Sequence, residues 1–117
     1  MEISANRTVR FVYFVAVVLI LCSYIFTSVF TSGGEIIMPL DDAYIHFQYA
    51  KQTANGQPYI YNPGDAPTSG ATSFIYPYLL AIGYAIGFEG LNLGMWALTL
   101  GAASLMISMR LIYLLAR

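Results

Sequence analysis

Twenty consecutive residues, Phe11 to Phe30, carry no charge and are dominated by Phe, Val, Leu and Ile. As a helix they rise about 30 Å, the thickness of the hydrocarbon core of a bilayer. The run is longer than the apolar stretch of about 7–15 residues in a cleaved signal peptide, so a retained anchor is expected. Composition agrees: the chain is 58% hydrophobic and 9% charged, where soluble domains carry about 25% charged residues. That excludes disorder and argues against a soluble fold. The expected class is an all-α membrane protein.

Other function classes fall away on counts. A formal net charge of −1 leaves no basic footprint for nucleic acid. Cys22 is the only cysteine, so no internal disulfide and no zinc or redox spacing can form. His46 is the only histidine, which excludes a multi-histidine metal site.

The pattern predicts a single membrane domain over residues 1–117, with about three transmembrane helices at about 11–30, 73–88 and 91–110. Arg7 and Arg10 precede the first span, which makes the N-terminus cytoplasmic and the loop at about 31–72 external, periplasmic or otherwise extracytoplasmic. That loop holds Glu35, Asp41, Asp42 and Asp65 against a single Lys51. Within it, residues 42–54 read as an interfacial amphipathic helix. Asp41 is placed to cap it and Asn55-Gly56 to stop it. Ala43, Phe47, Ala50 and Ala54 form its apolar stripe, and Asp42, His46 and Tyr49 a second one. Turn formers follow at Asn62-Pro63-Gly64 and Ser69-Gly70. Gly83 and Gly87, four apart, either suit close helix contact or are ordinary membrane-helix residues.

Three crossings leave a conflict. They put Arg110 and Arg117 outside and Glu89 inside, against the usual bias of charge. Either the second segment is re-entrant, or Arg110 faces a cavity and binds an anion.

The chemistry concentrates at Asp41-Asp42. Adjacent helical residues point about 100° apart, as 3.6 residues per turn requires, so the two carboxylates cannot serve one purpose equally. They can stabilise the helix N-terminus. One can also act as a general base or as an oxygen ligand for a divalent metal ion. His46 lies one turn beyond Asp42, within reach of a hydrogen bond, metal ligation or a proton relay. Lys51 suits a lipid headgroup or solvent. Tyr44, Phe47 and Tyr49 suit interfacial packing or substrate stacking.

Taken in order, Asp41-Asp42-Ala43-Tyr44-Ile45-His46-Phe47-Gln48-Tyr49-Ala50, Ala54-Asn55-Gly56, Tyr61-Asn62-Pro63-Gly64 and Gly70-Ala71-Thr72-Ser73-Phe74-Ile75-Tyr76-Pro77 resemble the N-terminal part of GT-C class glycosyltransferases. Phe74 stands where that family commonly has proline, and Tyr76 where it commonly has tryptophan. The resemblance implies transfer of a sugar from a polyprenyl-phosphate carrier to an acceptor hydroxyl on the external face. It makes Asp41 the catalytic acid position, as base or metal ligand, and Asp42 its more variable neighbour. Tyr44, His46, Lys51 and Arg110 are the candidate substrate-binding residues. Family members have many more spans, so the resemblance implies an N-terminal portion that is inactive alone. Its partners would then be membrane lipids, the carrier-linked sugar, and missing C-terminal helices or a partner membrane subunit. Two other readings stay open: a small non-enzymatic three-span subunit, and a transporter fragment with an external cation site.

Overall fold

The computed structural model describes residues 2–68 and 70–116; Met1, Ser69 and Arg117 lie outside the described residues. Four α-helices follow in order: α1 (Glu2–Ser32), α2 (Asp41–Ala54), α3 (Tyr76–Ala85) and α4 (Leu93–Leu115), the last entered through a 3-10 turn at Gly90–Asn92. No strand occurs among the described residues. The chain divides into two compact units. One holds α1 and α4 from residue 98 onward, and the other is Glu35–Ala97.

Two helices are long and apolar enough to cross a membrane, Arg7–Ser32 and Gly90–Leu115. Each has 26 residues, with mean hydropathy 2.4 and 1.7. At 1.5 Å per residue each spans about 39 Å, more than the roughly 30 Å required. Their large apolar side chains point outward: Phe11, Phe30 and Ile112 are 67%, 79% and 66% exposed. In water such continuous apolar surface would drive association, whereas lipid is a matched solvent for it. The hydroxyls of Thr27 and Thr31 donate to the carbonyls of Ser23 and Thr27 at 2.9 and 2.8 Å. That returns otherwise unpaired polar groups to the helix backbone.

The segment expected to span at 73–88 is shorter than that. α3 has ten residues, a rise of about 15 Å, half the hydrocarbon thickness. Gly87 ends it at φ +106°, and Gly90 turns the chain again at φ +58°. The termination bonds run from Gly87 N–H to the Tyr84 carbonyl (3.1 Å) and from Phe88 N–H to the Gly83 carbonyl (3.0 Å), a Schellman ending. α2 stops the same way: Gly56, at φ +77°, donates to the Thr53 carbonyl at 3.0 Å and Gln57 to that of Gln52 at 2.8 Å.

In the second unit α2 packs on α3. Ala50 and Leu80 are fully buried, and Tyr49, Phe47 and Ala81 nearly so. Burial of a residue such as Leu80 stabilises by roughly 1.5–3 kcal/mol. Of the apolar stripe of α2, Phe47 and Ala50 are buried and Ala54 is exposed. Tyr49 and His46, expected on the other stripe, are buried as well. Trp96 on the first turns of α4 lies against Gly83, and its indole N–H donates to the Leu79 carbonyl at 2.8 Å. The expected role of Gly83 in close helix contact is therefore seen, while Gly87 serves as the helix terminator.

Candidate functional site

Asp41 and Asp42 occupy the first turn of α2. The residue before the helix, Leu40, takes the extended capping conformation (φ −130°, ψ 139°), and no side-chain capping bond forms. The expected N-cap, Asp41, is therefore the first helical residue instead. A side chain caps from extended backbone, and that conformation falls one residue early, on a side chain without oxygen. Both carboxylates are exposed. Neither is engaged by a neighbour among the described residues. Their charge suits the positive end of the helix dipole, a contribution of about 0.3–1 kcal/mol each. No group of three or more His, Cys, Asp or Glu that could hold a metal ion occurs among the described residues.

His46 does not join Asp42. It is 8% exposed, and its Nε2 forms a 3.1 Å hydrogen bond with Thr72 Oγ1. The Tyr76 ring meets it edge to face at 5.3 Å. Nδ1 is buried without a partner. The neutral tautomer that leaves no buried donor unmade has Nε2–H donating to Thr72 and Nδ1 bare. Packing on α3 and the segment before it turns the ring inward, away from the first turn. His46 thus acts as a fastener between α2 and the segment that leads into α3.

Tyr44 and Lys51 do come together. They line a groove of about 390 Å³ with Gln48, Tyr84 and Glu89. The Tyr44 hydroxyl also accepts a bond from Met38 N–H at 3.0 Å. Arg110 is exposed on α4, in the other unit.

A second cavity, of about 210 Å³, lies in the loop. Its walls include Tyr49, Thr53, Tyr59, Thr72, Phe74 and Tyr78. Neither Asp41 nor Asp42 lines either cavity. The loop around it is ordered by specific bonds. Gln48 Nε2 donates to the Tyr61 carbonyl at 2.7 Å. Asn62-Pro63-Gly64-Asp65 closes a type II turn through Asp65 N–H to the Asn62 carbonyl at 3.0 Å, with Gly64 at φ +93° as that turn requires. Tyr59 is the one non-glycine residue with positive φ among the described residues, at +64°. The left-handed conformation costs a side-chain-bearing residue about 1–2 kcal/mol. It is held by Thr68 N–H donating to the Tyr59 carbonyl at 2.7 Å and by Phe74 and Tyr78, with ring centroids at 5.4 and 6.0 Å. The sequence gives no signal for this strain, because tyrosine carries no preference for positive φ. The density of tyrosines there signals only that the loop packs.

A hydrogen bond with Tyr78, reinforced by desolvation, pushes the Tyr59 phenol from 10.0 up to about 12. Among the described residues, no Asp, Glu, Lys, Arg or His lines the cavity. A raised folded-state value means that the contact is fully present below pH 10 and is lost as pH climbs through about 12. Tyr78→Phe is expected to return Tyr59 toward its ordinary range. Difference absorbance of tyrosinate should show one fewer late-titrating phenol in that variant, and an unchanged titration curve would refute the pairing.

No family model, no curated protein and no solved structure matches the chain.

Proposed function

We propose that this chain is the N-terminal portion of a GT-C-like membrane glycosyltransferase that uses a polyprenyl-phosphate-linked sugar, with Asp41 as its base or metal ligand on the external face. The observation that carries the reading is the state of the acid pair. Two carboxylates stand exposed on one helical turn, uncommitted to capping, in the loop between two bilayer-length helices. In the first turn both acids favour the helix dipole, but no capping bond ties up either carboxylate.

Charge supports a two-crossing topology. With α3 too short to span, α1 leaves the cytoplasm and α4 returns to it. Arg7 and Arg10 before α1, and Arg110 and Arg117 toward the end of the chain, then share the cytoplasmic side. Glu35, Asp41, Asp42, Asp65 and Glu89 share the external one. The conflict that three crossings created disappears, and Arg110 is no longer a candidate for the external substrate.

In this reading Asp41 takes the proton of the acceptor hydroxyl as its oxygen attacks the anomeric carbon. The bond from that carbon to the carrier phosphate breaks, and polyprenyl phosphate leaves with the electron pair. Where a divalent ion takes part, one or two carboxylates here would hold it, with water and substrate phosphate completing the shell, as magnesium sites do. Lys51, beside Tyr44 in its groove, is the nearest cation for a phosphate within this unit.

Transfer of labelled sugar from a polyprenyl-phosphate donor by membranes carrying the full-length gene product tests the activity. Topology is tested with an impermeant thiol reagent in a Cys22→Ser background. Asp65→Cys is expected to react in intact cells, and Ala116→Cys only after permeabilisation. Reaction at Ala116→Cys in intact cells restores a third crossing. Protection of Asp65→Cys removes the external site and the enzyme reading with it.

A further inference from the structure

We infer that α3, and not α2, is the loop segment that meets lipid. It lies at the bilayer surface with Ile75, Leu79, Ile82 and Ile86 against acyl chains and carries α2 on its opposite face, toward water. The inference rests on the two-crossing reading above. It goes beyond it by assigning the interaction surface and its partner.

Four observations converge. First, those four side chains are 64%, 41%, 53% and 62% exposed. Their spacing, i, i+4, i+7 and i+11, makes them one face of a helix. The other face, with Pro77, Leu80 and Ala81, is buried. An apolar helix with one face packed and the other bare needs an apolar neighbour. Second, residues 66–88 hold no charged side chain, whereas α2 exposes Asp41, Asp42 and Lys51. The unit thus has one charged helix and one uncharged helix, the pattern of a body seated at an interface.

Third, the ends of α3 are sealed as lipid demands. The Tyr76 N–H donates to Ser73 Oγ at 3.3 Å, Pro77 has no N–H, and Tyr78 and Leu79 N–H both donate to the Ile75 carbonyl, at 3.0 and 3.3 Å. At the other end the carbonyls of Ile82, Gly83 and Tyr84 accept from Ile86, Phe88 and Gly87. A helix in water can close its ends this way too, as α2 does at its C-terminus, whereas one in hydrocarbon has to. Fourth, α3 is pinned to the first turns of the spanning helix α4. Trp96 reaches back against Gly83 and donates to the Leu79 carbonyl at 2.8 Å. The apolar stripe is therefore held beside the N-terminal turns of α4, a helix that crosses the membrane in the reading above, which favours lipid over a second copy of the chain as its neighbour.

The test uses the full-length gene product in liposomes of phosphatidylcholine with brominated acyl chains, in a Cys22→Ser background. Single cysteines carrying an environment-sensitive fluorophore are placed at Leu19 on α1, at Ile82 and Ile86 on α3, and at Lys51 on α2. All four positions are solvent-accessible, so labelling leaves the packing intact. Bromolipid is expected to quench Leu19→Cys strongly and both α3 positions to about half that extent or more, as a helix sunk about 5–10 Å into the interface requires. Lys51→Cys is expected to stay bright and to be quenched by aqueous iodide. Lack of quenching at Leu19→Cys would overturn the membrane-crossing reading itself. Quenching at Leu19→Cys without quenching at Ile82→Cys and Ile86→Cys would overturn this inference alone. If those α3 positions are then also shielded from iodide, a protein surface covers the stripe.

Discussion

If the proposed function holds, Asp41→Asn in the full-length gene product is expected to lower sugar transfer by about 10²–10⁴-fold, the usual contribution of a positioned general base. The substitution keeps shape and volume and removes only the charge and the basicity. Because the carboxylate is exposed and unbonded, its loss disturbs no packing. The cost to the helix is the lost dipole interaction, about 0.3–1 kcal/mol. Helix content and thermal unfolding should therefore be close to wild type while turnover collapses. Asp42→Asn removes the same dipole contribution from a carboxylate pointing about 100° away. It is expected to retain most turnover, with a change in KM at most. Initial rates with a labelled polyprenyl-phosphate sugar distinguish the two variants. Near-normal turnover in Asp41→Asn would remove that residue from catalysis, and collapse in Asp42→Asn alone would transfer the role to its neighbour.

The features that survived from sequence to structure are those fixed by local chemistry. An uncharged run as long as the bilayer is thick has few ways to be satisfied, and α1 and α4 follow from it. Asn55-Gly56 stops α2 because glycine tolerates the positive φ that a Schellman ending needs. Asn62-Pro63-Gly64 turns because proline presets one torsion and glycine permits the next. What the sequence hid depends on tertiary partners. The shortness of α3 was masked because hydropathy continues past Ala85 through Ile86 and Phe88, although the helix ends there. His46 is one turn from Asp42, which made their pairing reasonable, yet Thr72, 26 residues on, takes the ring. The amphipathic stripe of α2 was legible as a pattern, but a pattern says only that a face is covered. That α2 packs on α3, with Phe47 and Ala50 buried while α3 keeps a bare apolar face, is a fact of packing.

The same packing makes Gly83 the described glycine with the least room for a Cβ. A Cβ there would overlap the Trp96 indole at its ring junction with the side-chain stem, not at a flexible tip. Gly83→Ala must therefore displace Trp96 or part α3 from α4. Overpacking of this kind costs about 1–3 kcal/mol. Moving the indole also breaks its 2.8 Å bond to the Leu79 carbonyl and its stacking on Phe88 at 5.8 Å, adding about 1 kcal/mol or more. Denaturant unfolding in detergent should show a loss of about 2–4 kcal/mol, with faster hydrogen exchange in α3. Gly101→Ala is the control. It sits in α4 with nothing near its Cβ position, so the helix preference for alanine leaves stability equal or slightly higher. Trp96→Ala in the Gly83→Ala background should cost much less than the sum of the two single changes, because the overlap vanishes with the ring. Additivity in that cycle would mean the two residues are not in contact, and the seat that holds α3 beside the entry of α4 would then lie elsewhere.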